Sequence, residues 1–282
     1  MKPSETRDPD GKTTLSVVLV VRDGAEVIGD ALRSTDGLAD ELVVLDTGSG
    51  DATLEIVRAH GRASVHESVF DGFGAVKQRA LEHCHGDWVL SLDADERISP
   101  ELAAAIHAMR EDGSLEDHAG YKIRRRNWIQ GRAMTTMGLQ NDAPLRLFRR
   151  EGASFNTNLV HEGVALPEGA TIGRLDTPLE HFTMGSIDQY LRKQDHYTTL
   201  DLEQNPRPHS TTHLVFVWPT TFWRYYVGRR GYRDGWQGLL WAGLAATGRF
   251  MRDMKCWIAH EASGDEKTAG HPSDGPEVDR RG

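Results

Sequence analysis

The stretch WVLSLDADER, Trp88–Arg97, decides how the chain is read. A mostly apolar run ends abruptly in Asp93, Asp95 and Glu96, three acids within four positions. A short apolar run with such an end reads as a buried strand. Neighbouring carboxylates repel, so cations must compensate them or water must solvate them. Residues two apart on an extended chain point to the same side. If the segment stays extended, Asp93 and Asp95 face one space beyond the sheet. Hard cations such as Mg²⁺ or Mn²⁺ seek oxygen ligands in that arrangement and complete their shell with phosphate oxygens. One reading is therefore a metal-bridged diphosphate. The other is a solvated turn whose acids favour the N-terminus of the next helix. The three-residue pattern alone does not choose between them.

Working outward, the first half alternates strand and helix. LSVVLVV (15–21) and ELVVLD (41–46) are β-branched, apolar runs suited to strands covered on both faces. EVIGDALRS carries Val27, Ile28, Ala31 and Leu32 at helical spacing, and Asp51 is placed to cap a helix bearing Leu54, Ile56 and Val57. ASVHESV is a third strand, 74–83 a helix, and Ser99-Pro100 an N-cap and first helical position. The alternation predicts an α/β fold, a mostly parallel central sheet with helices on both faces. Ligands of such sheets bind at the carboxyl ends of strands, where Asp46 and Asp93 fall. A G-x-G-x-x-G dinucleotide loop is missing after the first strand, which reads VVRDGAE. Aspartyl phosphatases continue their D-x-D pattern to Thr or Val, whereas Arg97 stands here.

The chain has 282 residues, a formal net charge of −9 and two cysteines, Cys84 and Cys256. This composition fits a soluble globular protein with reduced thiols and argues against a general nucleic-acid binder. No apolar run approaches the about 20 residues of a spanning helix, and the polar start MKPSETRDPDGKTT is not a secretory signal. The expected organisation is a disordered tail over 1–13, a catalytic domain over 14–205, a basic and aromatic helical segment over 206–260 and a second tail over 261–282. In the second half, GYKIRRRNWIQGR and LRLFRR read as strands, and helical pattern resumes near Ser186. Between Pro206 and His260 lie five of the seven tryptophans, with Arg224, Arg229, Arg230, Arg233, Arg249, Arg252 and Lys255 against only Asp234 and Asp253 as clear acids. Trp and Tyr interleaved with Arg suit an anionic membrane interface. The alternative is a helical pair packing its rings onto the catalytic domain.

Five segments in order carry a resemblance. LSVVLVVRDGAEVI, ELVVLDTGSGDATLEIV, FDGFGAVKQRALEHCHGDWVLSLDADERISPEL, NDAPLRLFRR and VHEGV resemble family 2 glycosyltransferases of GT-A fold, especially the lipopolysaccharide-core β-glucosyltransferase subgroup. The resemblance implies inverting transfer of a sugar, a hexose, from a nucleotide-diphospho-sugar such as a UDP-sugar to a saccharide or lipid-linked saccharide hydroxyl. It implies Mg²⁺ or Mn²⁺ as cofactor and a cytoplasmic enzyme, peripheral on the inner membrane face. Asp46 would contact the nucleobase, Asp93 the ribose or metal, Lys77 the diphosphate, and Asp95 would be the principal metal ligand. His181, in LEHFTMG, resembles a histidine that sometimes ligates the metal; its other reading is a satisfied core histidine. Gln78 stands where relatives carry Asn, and Val21-Arg22-Asp23 where they carry Thr-Lys-Asn. Inverting transfer needs one general base. Glu162, in VHEGV, matches the family's His-Glu pair, with His161 beside it; Asp142 is the runner-up. Arg126 and Arg146 are candidates for phosphate, while the run Arg124–Arg126 also reads as a solvated strand face. The competing classes are a sugar nucleotidyltransferase and a non-catalytic glycan- or lipid-binding protein on a decayed transferase fold.

Overall fold

The computed structural model describes residues 12–156, 163–204 and 209–269. The first half forms β1 (Leu15–Val21), α1 (Ile28–Ser34), β2 (Glu41–Asp46), α2 (Thr53–His60), β3 (Ala63–Glu67), α3 (Phe73–Glu82), β4 (Trp88–Asp93), β5 (Glu96–Ile98) and α4 (Pro100–Asp112). Strands β3, β2, β1 and β4 lie side by side and parallel, in that order. Apolar residues fill both faces of this unit. Leu15, Val17, Leu19 and Val21 join Ile28, Val57, Leu102 and Ile106 of α1, α2 and α4 in one core, and Val18, Val43 and Val89 join Val76 and Ala80 of α3 in another. Each fully buried aliphatic side chain contributes about 1.5–3 kcal/mol. Val21 pairs with Asp46 and Val20 with Asp93, so both acids stand at the same carboxyl edge, on either side of the end of β1. Ser99 accepts from the Leu102 N–H at 3.1 Å and caps α4 as its sequence predicts. Asp51 is not the cap of α2: Ala52 holds that position without a side-chain cap bond, and Asp51, one residue earlier, accepts from Thr53 N at 3.0 Å.

The second half adds β6 (Gly120–Ile129), β7 (Arg132–Ala133), β8 (Leu145–Arg149), the small pair β9 (Ser154–Phe155) and β10 (Val164–Ala165), and β11 (Ile172–Met184). The main sheet continues from β4 through β8 and β6 to β11 and ends on β5, with β8 antiparallel to its neighbours and β11 parallel to β6. Only Ala94 and Asp95 separate β4 from β5, yet β8, β6 and β11 lie between them in sheet order. The sheet therefore curls until its far edge returns to the carboxyl end of β4. This corrects the expectation of an extended Asp93–Asp95: the strand ends at Asp93, a turn follows, and Glu96 begins the next strand.

Helices α5 (Ile187–Gln204), α6 (Thr211–Trp223) and α7 (Gly235–Ala269) complete the chain. Helix α7 runs past His260, the expected boundary of the basic and aromatic segment, to Ala269. Ile129, Met134, Met137, Met184 and Tyr190 pack with Ala242 and Leu244 of α7 in a third core. A π-helical turn, Arg224–Gly228, links α6 to the approach of α7. There a Cβ on Gly238 would sit 1.9 Å from the Gly231 carbonyl oxygen, so only glycine permits this crossing. Asp234 is fully buried and accepts from the backbone N–H and hydroxyl groups of Thr135 and Thr136. Trp241 packs edge-on to Tyr190, whereas Trp223 and Trp236 are each 60% exposed. No described helix is long and apolar enough to cross a membrane.

Candidate functional site

Asp46, at the end of β2, is buried, and its carboxylate accepts from the N–H groups of Gly48 and Ser49 at 2.9 Å each and from the Ser49 hydroxyl. It braces its own loop, which Asp23 ties to the end of β1 by accepting from Gly50 N at 2.8 Å. Asp46 thus shapes the floor beside Asp93.

The three acids of DADE have separate partners. Asp93 Oδ1 accepts from Lys77 Nζ at 2.8 Å, and its Oδ2 pairs with the Arg146 guanidinium. Burial alone would raise the Asp93 carboxyl, but Arg146 and then Lys77 hold it well below the usual carboxylate range. Glu96, fully buried, takes Arg146 Nη2 at 2.7 Å and Arg125 Nη1 at 3.2 Å on Oε1, while Oε2 accepts from Asp93 N at 2.9 Å. Arg146 therefore spans both acids. Burial opposes its charge, and Asp93 and Glu96 together keep it protonated. The arginine run is not simply a solvated face: Arg125 joins Glu96 to Asp142, and Arg126 pairs with Glu180 at 2.9 Å. Arg146, read from sequence as a phosphate binder, is an internal counter-ion here.

Asp95 lies in the turn and faces other groups. Lys193 Nζ of α5 stands 3.1 Å from its Oδ2, and His181 Nε2 of β11 stands 3.7 Å from its Oδ1. Burial pushes this carboxyl up, while Lys193 pulls it far down. His181 Nδ1 lies 2.6 Å from Asn127 Oδ1, its cross-strand partner on β6. Nδ1 must then be the protonated nitrogen, since an amide oxygen only accepts. In the neutral ring that leaves the Nε2 lone pair on the side of Asp95, the supported arrangement of a metal-ligating histidine. The chemistry of this donor pair fits a divalent cation. The two oxygens of Asp93 are engaged by Lys77 and Arg146.

Asp142 directs Oδ2 at Arg125 Nε and Nη2, 2.8 and 2.7 Å away, which makes it an ion-pair partner fixed to β6. Glu162 and His161 lie outside the described residues. A second cluster, His209, His213 and Asp253, sits between α6 and α7 with His213 Nε2 2.8 Å from Asp253. Arg249 Nε and Arg252 Nη2 also reach Asp253, at 2.7 and 2.8 Å. Two fixed guanidinium charges on one carboxylate repel a further cation, so the cluster suits an ion-pair role.

Asn127 and Lys193 escaped the sequence reading, and so did the partners of Glu96. Glu96 had a usable signal, because Arg146 interrupts the apolar strand LRLF and a buried arginine requires an acid. Asn127 and Lys193 had none: one sits in a basic strand, the other in the polar helix YLRKQDHY.

The profile of "Glycosyl transferase family 2" matches residues 16–161. The chain is 28% identical over 259 residues to "Lipopolysaccharide core biosynthesis glycosyltransferase LpsC" of Rhizobium meliloti (strain 1021), covering 88% of this chain and 94% of that protein. It is 26% identical to an uncharacterized glycosyltransferase of Rickettsia typhi, covering 86% of each. Among solved structures, S. aureus TarS 1–349 superposes with a TM-score of 0.44 at 16% identity, covering 90% of this chain and 92% of that one. Glucosyl-3-phosphoglycerate synthase from Mycobacterium tuberculosis, in complex with Mn²⁺, uridine-diphosphate and glucosyl-3-phosphoglycerate, gives 0.43 at 22% identity over 70% and 82%.

Proposed function

The chain belongs to glycosyl transferase family 2, and from that premise we propose that it moves a hexose from a UDP-sugar to a saccharide hydroxyl of lipopolysaccharide core or another surface polysaccharide, with inversion. The observation that carries the donor reading is Asp95 and His181, 3.7 Å apart at the carboxyl edge of the sheet, with Asn127 fixing the histidine tautomer. Asp95 Oδ1 and His181 Nε2 would hold Mg²⁺ or Mn²⁺. The bound ion supplies positive charge to the departing diphosphate. Lys77, paired with Asp93 at 2.8 Å, would face the diphosphate, and Asp46 shapes the loop where the nucleobase would rest. Glu162 is our candidate for the base that takes the acceptor proton as the hydroxyl attacks opposite the leaving group. Asp142, bound to Arg125, is the weaker choice. The acceptor class draws support from the likeness to LpsC.

The exposed Trp223, Tyr232 and Trp236 beside exposed Arg229, Arg230 and Arg233 further favour a lipid-linked acceptor met at an anionic membrane face. Vesicle flotation tests that part of the proposal.

Calorimetric titration of UDP, with and without Mn²⁺, tests the donor site. Wild type should bind with metal dependence, and Asp95→Ala should lose at least about 100-fold of the metal-dependent affinity. Equal affinity in the two proteins would sink the assignment.

A further inference from the structure

The two oxygens of Asp95 are divided between unlike partners. Oδ1 faces His181 Nε2, a nitrogen that can ligate a metal. Oδ2 faces Lys193 Nζ at 3.1 Å, a cation that cannot. Lys193 reaches Asp95 from the open side: its side chain is 49% exposed against 19% for the aspartate. Helix α5 holds it there. One turn along, the Tyr197 ring stacks on Phe73 at the start of α3, with centroids 5.1 Å apart, and His196 meets Phe70 at 5.6 Å. The helix that carries Lys193 is thereby anchored to the helix that carries Lys77. The lysine stem is long and flexible, so its ammonium can leave Asp95 without moving α5.

We propose that Lys193 is a tethered rival of the divalent ion for Asp95, which makes metal entry depend on an anion able to draw the ammonium away. A nucleoside diphosphate is such an anion. Lys193 then passes from the carboxylate to a phosphate oxygen, and the ion and nucleotide bind cooperatively although each alone binds poorly. Asp95 keeps a cation in every state, so the half-buried carboxylate is never left bare. The proposal rests on the donor-site reading above and adds the coupling to it.

The test is Mn²⁺ binding without nucleotide, followed by paramagnetic resonance of the free ion, for wild type, Lys193→Met and Lys193→Arg, each repeated with UDP. Methionine keeps the helix propensity and removes the charge. Lys193→Met should bind bare Mn²⁺ about tenfold more tightly than wild type, and UDP should enhance its Mn²⁺ affinity less. Lys193→Arg should behave as wild type. Unchanged or weaker Mn²⁺ binding by Lys193→Met, beside wild type that binds Mn²⁺ with UDP, would overturn the lysine's role alone. So would an equal gain in Lys193→Arg. Absence of Mn²⁺ binding from all three proteins, with or without UDP, would overturn the donor site as well.

Discussion

The carboxyl edge of the sheet and the C-terminal helices both bury acids, and they treat them differently. At the edge, Asp93, Asp95 and Glu96 are met by Lys77, Arg146, Arg125 and Lys193, drawn from α3, β8, β6 and α5. Those partners are far apart in sequence, and Asp95 remains open enough to exchange its cation. In the helices, Asp253 is closed in by Arg249, Arg252 and His213, and Asp234 by two threonines. The edge keeps a carboxylate available for chemistry. The helices withdraw theirs from the surface, which leaves exposed arginines and aromatic rings outside. One arrangement leaves a carboxylate within reach of solvent, the other a surface of cationic and aromatic side chains.

The contrast can be pressed hardest at Glu96. Glu96→Gln leaves Arg125 and Arg146 without their buried acid and should cost about 3–5 kcal/mol in urea unfolding; a loss below about 1 kcal/mol would mean that the edge charges are solvated after all. On the helical side, Arg229, Arg230 and Arg233 changed together to Glu should release the protein from anionic vesicles. Each arginine near the surface is worth about 1 kcal/mol. Metal-dependent UDP binding should be untouched, whereas retention on vesicles would leave the cationic face without its partner. The smallest effect belongs to Asp253. Burial raises its carboxyl, but hydrogen bonds from His213, Arg249 and Arg252 win and hold it at about 2, below the ordinary 3.8. A depressed folded value gives stability that is complete above about pH 4 and is lost as pH falls toward 2. Asp253→Asn should therefore cost about 1–2 kcal/mol at neutral pH and flatten the acid unfolding profile in that window. An unchanged acid profile would show that the cluster contributes nothing to the pH dependence.

The parallel half of the fold was legible because its signals are local. LSVVLVV, ELVVLD and WVLSLD announce buried strands, and their parallel register brings Asp46 and Asp93 to one edge. The conformation of Asp93–Asp95 was misread because the turn depends on a distant event, the return of β11 to pair with β5. Partnership was harder still. Nothing in KIRRRNW says that Arg125 reaches Glu96 while Arg126 meets Glu180; alternation gives opposite faces, and only the neighbouring strands say what covers them. Lys193 lay beyond reach, since a lysine in a polar helix has the pattern of a solvated one.

Strand β6 gives the molecule its gauge. Its odd-numbered side chains line one face. Tyr121 and Ile123 enter the main core, Arg125 meets Glu96, Asn127 orients His181, and Ile129 enters the third core under α7. A single deletion within that run would exchange the two faces, offering Arg126 to Glu96 and Trp128 to His181. The turn at Gln130 and Gly131, where both residues have positive φ, closes the hairpin to β7 just beyond. Spacing along ten residues of one strand thus carries information that would otherwise need several independent contacts.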